Sequence, residues 1–373
     1  MSRVLVVNTG SSSVKYRLYG GSAVVATGTV ERIGEDSPGA PRDHAEALQG
    51  VMVDLPLDGL TAVGHRVVHG GLTFTAPTLL DDDVVKAIGD LVPLAPLHNP
   101  ANLAGIDVTR KLLPGVPQVA VFDTAFHHTL PASASTYAIE AATAERHGIH
   151  RYGFHGTSHA IVSRRTAELL GRPLAEVNTI TLHLGNGASA CAVEGGRSVA
   201  TSMGLSPLEG LVMGTRSGDI DPTIIFHLNR VAGMSLPEID ELLNRRSGLV
   251  GLAGVNDMRS LLGLRESGDA GAELAFDVYC RRVKSYVGAY YAQLGRLDAI
   301  TFTAGVGENA PAVRACSLEG LERLGIAVDD DLNELPEVGA RVISPPDLPV
   351  AVCVVPTDEE WEIASQTLEV VAR

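Results

Sequence analysis

Positive charge is scarce in this chain, and lysine scarcest of all. Its 373 residues carry 29 Lys and Arg against 44 Asp and Glu, a formal net charge of −15. Lysine occurs only at Lys15, Lys86, Lys111 and Lys284. Proteins that track nucleic acid or anionic membrane surfaces are basic, so both partners are excluded. An anionic substrate must be caught by a local cluster of arginines and backbone amides. The four cysteines show no CxxC or other metal-ligand spacing and read as reduced thiols in apolar segments. The run Val4–Val7 is too short for the apolar core of a signal peptide, and the run around Leu348–Val355 is far below a membrane span. The expected location is the cytoplasm. No Gly-Lys pair occurs, which removes a Walker A loop, and no His-Arg-Asp loop of protein kinases is present.

With 45% hydrophobic and 20% charged residues, the composition is that of a globular protein, and its length favours two domains. Val4–Val7, Val14–Leu18 and Ala23–Val30 read as strands, joined by the polar loop Asn8–Ser13 and a Gly20-Gly21 turn. The plan recurs at Thr179–Leu184, Ser189–Val193 and Arg197–Ser202, with Gly185-Asn186-Gly187 as the loop and Gly195-Gly196 as the turn. The repeat predicts two similar α/β domains, each presenting a backbone-amide loop. Thr157 or Ser158 is expected to cap a helix ending before Gly171, and Asp221-Pro222 to start another. Glu273–Leu294 reads as a long helix with Tyr279, Val283, Tyr286, Val287 and Tyr290 on one stripe. The aspartate runs at Asp81 and Asp329 read as turns or helix starts.

Several short motifs carry polar chemistry. In "RYGFHGTSH", residues 151–159, His155 and His159 stand at the mouth of a helix. In "MGTRSGDIDP", Arg216 lies in a glycine-rich loop beside Asp219 and Asp221, and "GHRVVHGG" puts Arg66 at a strand end. A structural Arg216–Asp pair is the plainer reading of the former. "HLGNGAS" offers His183, Gly185, Asn186 and Gly187 as an amide loop able to face an anion. "VFDTAFH" ends a strand on Asp123, and "PTDEEW" places Asp358, Glu359 and Glu360 where a strand meets the last helix. "AGVGENA", a glycine loop between strand and helix, has Gly305 and Gly307 spaced as in the dinucleotide fingerprint, with Asp329 at the ribose carboxylate position. A nicotinamide-dependent oxidoreductase is therefore the rival reading. Together the other motifs supply the parts of phosphoryl transfer: amide loops, arginines, carboxylates for Mg²⁺ and a histidine donor.

These segments, with "VNTGSSSVKY" and "LAPLHNP", resemble in order and across nearly the whole chain the motifs of the acetate kinase family. That family belongs to the superfamily of sugar kinases, actin and heat-shock chaperone ATPases. The resemblance implies two similar actin-like (ribonuclease-H-like) α/β domains with mixed sheets around a central cleft. They would span 1–150 and 151–357, with the helix 358–373 packing back on the first. It further implies Mg²⁺-dependent transfer (Mn²⁺ possible) from ATP to acetate, giving ADP and acetyl phosphate, with propionate or butyrate as the alternative acid. A nucleotide-gated protein of the actin type fits the fold but leaves Arg66 and Arg216 without a purpose. By the same resemblance Asn8, Ser11, Ser13 and Lys15 line one phosphate-side loop. Arg66 and Arg216 hold the carboxylate and the phosphoryl group, His155 donates to it, and Asn186 contacts it. His183, Gly185 and Gly187 belong to the second amide loop. Asp123 and Glu359, with Asn8, organise the metal. Gly305, Gly307, Asn309, Asp257 and Arg259 hold adenosine, and Val68, Leu97, Phe154 and Pro207 wall the methyl group. A homodimer through the second domain, near Tyr279, Tyr286 and Tyr290, is also implied. His159 is expected to hold the loop rather than touch substrate.

Overall fold

The computed structural model describes residues 2–10, 12–336 and 338–373; Ser11 lies outside them. The chain divides into two compact units, one of residues 1–128, 156–158 and 358–373, the other of 129–155 and 159–357.

The first unit is built on a six-stranded sheet. Its strands are β1 (Arg3–Thr9), β2 (Val14–Gly20), β3 (Ala23–Val30), β4 (Leu60–Val67), β5 (Thr78–Leu79) and β6 (Gln118–Phe122), in the order β3-β2-β1-β4-β6-β5. The unbroken apolar run of β1 is explained by burial on both faces. Leu5 and Val7 pack with Val14, Leu18, Leu48 and Val63. Val4 and Val6 face Tyr19, Val119, Val121 and, from the last helix Glu359–Val371, Ile363 and Ala364. That helix lies so close to the sheet that a β-carbon on Gly64 would fall 2.4 Å from Thr367 Oγ1.

The second unit repeats the plan with β7 (Asn178–Leu184), β8 (Ala188–Glu194), β9 (Arg197–Thr201), β10 (Ala299–Thr303), β11 (Arg341–Val342) and β12 (Ala351–Val354). Its order, β9-β8-β7-β10-β12-β11, matches the first sheet strand for strand. Both have an antiparallel three-strand meander, then two parallel additions, then a short antiparallel edge. The internal repeat thus extends beyond the meander visible in the sequence to all six strands. Gly195 and Gly196 have φ of 55° and 82°, the left-handed pair that a two-residue hairpin demands. The long helix runs Ala270–Leu294, capped by Asp269, with Tyr279, Val283, Val287 and Tyr290 buried.

Two local expectations are corrected. The helix Gly156–Leu169 begins before Thr157 and Ser158, so neither caps it; His155 holds the cap position in the left-handed region at φ 55°. Gly156 N donates to the Asp123 carbonyl, 2.9 Å away, which pins the chain at that point. The stretch 304–309 is not an open glycine loop but the short helix Ala304–Asn309, with Ala304 at φ 65°. Asp81 and Asp329 each cap a helix. Among the described residues no helix is long and apolar enough to cross a membrane, and the four cysteines form no disulfide.

Candidate active site

Polar groups collect at corresponding sheet ends in the two units. In the first, β4 and β6 are parallel neighbours with Val67 opposite Phe122, so residues at their C-terminal ends emerge together. Arg66 there forks onto Asp123, Nε to Oδ1 at 2.9 Å and Nη2 to Oδ2 at 2.6 Å. Asp123 is only 1% exposed. Glu359 opens the last helix and accepts from Thr157 Oγ1 at 3.2 Å. Beside it Asp358 caps that helix and takes a hydrogen bond from Arg17 at 2.9 Å, with Glu360 3.7 Å from the same guanidinium.

Carboxylates outnumber the cation around Arg66. Burial raises Asp123 above its ordinary range, Arg66 pulls it back, and Glu359 adds to the rise. Burial works against the Arg66 charge, but Asp123, Glu359 and Glu360 more than offset it and raise its pKa. For Asp123 the rise comes chiefly from burial, and for Arg66 from the surrounding carboxylates. The carboxylates of Asp123, Glu359 and Glu360 around Arg66 could meet a divalent cation. Among the described residues no three His, Cys, Asp or Glu form a group that could hold a metal ion by themselves.

Asn8 is half-buried near the end of β1, opposite exposed Lys15, and Lys15 forms no ion pair among the described residues. Ser13 O accepts from Gly10 N at 2.7 Å, closing that loop. Val68 is half-buried one residue past β4, its N–H bonded to Asn102 Oδ1 at 3.0 Å. Leu97 is 44% exposed on the segment before the helix Asn99–Leu112.

In the second unit the corresponding end carries imidazoles and hydroxyls. The His155 and His183 rings stack, with centroids 4.2 Å apart. A β-carbon on Gly187 would lie 3.6 Å from His155 Nε2 and 3.7 Å from Arg216 Nη1, so both side chains approach the face that this glycine leaves open. Arg216 does not pair with Asp219 or Asp221. Its Nη1 donates to the Pro207 carbonyl at 3.1 Å and contacts Met213 Sδ at 3.7 Å. Asp219 is taken by Gly210 N, Tyr286 and Arg282, and Asp221 by Thr223 N. Burial lowers the Arg216 pKa, with no carboxylate among the described residues to offset it. A partly buried guanidinium without a counter-charge is suited to meet an anion. Asn186 is exposed and lies over Gly214, whose N–H donates to the Asn186 carbonyl at 2.9 Å. Phe154 is sealed at 1% exposure.

Gly305 is exposed, Gly307 is buried, and Asn309 Nδ2 donates to the Gly305 carbonyl at 2.9 Å. Asp257 caps the helix Met258–Glu266 and is held below the usual carboxylate range by the Ser260 N–H; Arg259 is exposed in that helix's first turn. Sequence reasoning missed Glu308, which accepts from Ala304 N at 2.9 Å and Thr357 N at 3.2 Å. It also missed Thr157, Arg17 and Ser189. Ser189 alone had a signal: once β7 and β8 are drawn as a hairpin, it falls opposite His183.

The model of the acetokinase family matches residues 29–365. The chain belongs to the acetokinase family. It is 58% identical over 395 aligned residues to the acetate kinase of Streptomyces avermitilis, covering 99% of this chain and 98% of that one. Among solved structures, it superposes on Porphyromonas gingivalis acetate kinase with a TM-score of 0.94 at 41% identity, covering all of both chains. A propionate kinase from Francisella tularensis gives the same TM-score at 40% identity, covering 99% of this chain and all of that one. Membership of the acetokinase family sets aside the nicotinamide reading of residues 304–310.

Proposed function

We propose that this acetokinase-family chain catalyses ATP + acetate ⇌ ADP + acetyl phosphate by direct in-line transfer. The observation that carries the chemistry is Arg216, a partly buried cation with no carboxylate partner among the described residues, which meets His155 over the open face of Gly187. Its planar donors suit the equatorial oxygens of a phosphoryl group in transit. His155 supplies a second donor, and Asn186 a third with the amides of Gly185 and Gly187. Arg66 orients the carboxylate while anchored by Asp123, and Lys15 and the 8–13 loop meet phosphate oxygens. Glu359 and Asp123, with Asn8, would hold Mg²⁺, which would neutralise charge on the nucleotide phosphates. Asp257, Arg259 and the 305–309 helix contact adenosine. Charge neutralisation and positioning carry the rate, and no covalent enzyme intermediate is required.

Acetate is favoured over propionate because relatives 58–59% identical over nearly the full chain are acetate kinases. The propionate kinase fold is equally close, so discrimination rests on side chains such as Val68, Leu97, Phe154 and Pro207. A cytoplasmic homodimer completes the reading. The deciding experiment traps acyl phosphate as hydroxamate from acetate, ATP and Mg²⁺. Absence of product with acetate, propionate and butyrate overturns the proposal.

A further inference from the structure

One buried hydroxyl in the second unit serves two imidazoles. Ser189 Oγ, on β8 and wholly buried, lies 2.9 Å from His155 Nδ1 and 2.7 Å from His159 Nε2. The far nitrogen of His159, Nδ1, is 2.7 Å from Thr181 Oγ1 on β7. The groups therefore form a chain, Thr181–His159–Ser189–His155, running from the sheet interior to the ring beside Gly187 and Arg216. A hydroxyl has one proton, so Ser189 donates to one imidazole and accepts from the other. The whole chain runs one way or the other, and its direction decides which nitrogen of His155 carries hydrogen.

We propose that Ser189 is the positioning residue for His155: its O–H donates to Nδ1 and so holds the ring as the neutral Nε2–H tautomer. The inference rests on the kinase reading above for the anion it serves. Thr181 then donates to His159 Nδ1, His159 Nε2–H donates to Ser189, and Ser189 donates to His155. One observation sets this direction and a second keeps the ring neutral. Thr181 has an alternative acceptor, the Cys191 carbonyl, only at 3.5 Å, the limit of a hydrogen bond, so its proton goes along the 2.7 Å contact. Arg216, a cation with no carboxylate partner among the described residues, shares Gly187 with His155 Nε2, so an imidazolium there, a second cation, is unfavourable. A neutral Nε2–H offers a phosphoryl oxygen a donor, whereas a bare nitrogen would present a lone pair to it. The cap position at φ 55° fixes where the His155 backbone sits, and the stack and the Ser189 bond fix the ring.

The chemistry asks nothing of His155 but a held hydrogen bond, so no proton is gained or lost by the ring during transfer. The test is the nitrogen NMR of labelled histidine, with His155 assigned by comparison with His155→Gln. The expected spectrum has a bare Nδ1 and a protonated Nε2 throughout the pH range of activity. Ser189→Ala is expected to change the Nδ1 signal and lower kcat about 10- to 100-fold. KM for ATP and acetate should stay within about twofold, and Ser189→Thr should recover most of the rate. A protonated Nδ1 in the parent enzyme overturns the proposal, as does a Ser189→Ala kcat within about threefold of the parent. Should Ser189→Ala not fold, His159→Gln, which keeps a donor amide, is compared with His159→Phe; equal rates for the two overturn it. Failure of the hydroxamate assay with the unmodified enzyme would sink the kinase reading while leaving the tautomer measurement intact.

Discussion

The two units share one sheet topology yet furnish the same end of it differently. Where β4 and β6 end, the first unit has Arg66 forked onto Asp123, with Glu359 and Glu360 adding negative charge. The second follows β10 with Ala304 and carries stacked imidazoles, hydroxyls and one guanidinium with no carboxylate partner among the described residues. A duplicated scaffold dictates where strand ends fall, not what they carry. One end has surplus negative charge and calls for a cation; the other has donors and an unbalanced cation and calls for an anion.

The largest expected effect breaks the second end. Arg216→Lys keeps the charge but loses the planar fork, and kcat should fall by up to roughly 10³-fold with KM for ATP little changed. A variant within about threefold of the parent would remove Arg216 from the transition state.

The next effect tests whether the first unit is the acid-sensitive one. Burial lowers His65 to about 4, against an ordinary 6.5. A base depressed in the folded state leaves stability intact above the unfolded value and removes it as pH falls from 6.5 toward 4, because the unfolded chain binds the proton first. The cumulative loss is roughly 3 kcal/mol by pH 4. Melting curves over that range should show the decline, and His65→Gln should flatten it. Parallel curves for parent and variant would place the acid sensitivity elsewhere.

Glu359→Ala sharpens the contrast between the ends. It should raise the Mg²⁺ concentration for half-maximal activity by about 10- to 100-fold. His155→Ala should instead lower turnover without moving the metal curve. Identical metal titrations for parent and Glu359→Ala would shift the assignment to Glu360.

The smallest effect concerns the acid. A methylene in an apolar pocket is worth about 1–3 kcal/mol, so propionate should react more weakly than acetate. Val68→Ala should narrow that gap with ATP affinity unchanged. A lower melting temperature with an unaltered acetate-to-propionate ratio would make Val68 a core residue only.

Much of this was legible in the residues. The alternation of apolar runs with Gly/Asn/Ser loops announced both meanders, since hairpin turns and strand periodicity are local properties. The remaining strands of each sheet were not, because β1 meets β4 across more than 50 residues and β7 meets β10 across more than 100. Local signals also misled: Thr157 and Ser158 have the chemistry of a cap, but the bond from Gly156 N to the distant Asp123 carbonyl starts the helix earlier. Arg216 stands next in sequence to plausible acids, yet the fold commits Asp219 to Tyr286 and Arg282 instead.

Composition and motif order settled the class of chemistry, the family and the residues that bear charge, because these depend on side-chain identity alone. Tertiary structure decided which charges are neutralised and which are left wanting. Asp123 meets its cation from a neighbouring strand 57 residues away, and Ser189 joins two imidazoles from 34 and 30 residues away. Hydrogen bonds and desolvation act over a few ångströms, and only the folded chain brings such distant groups within that range.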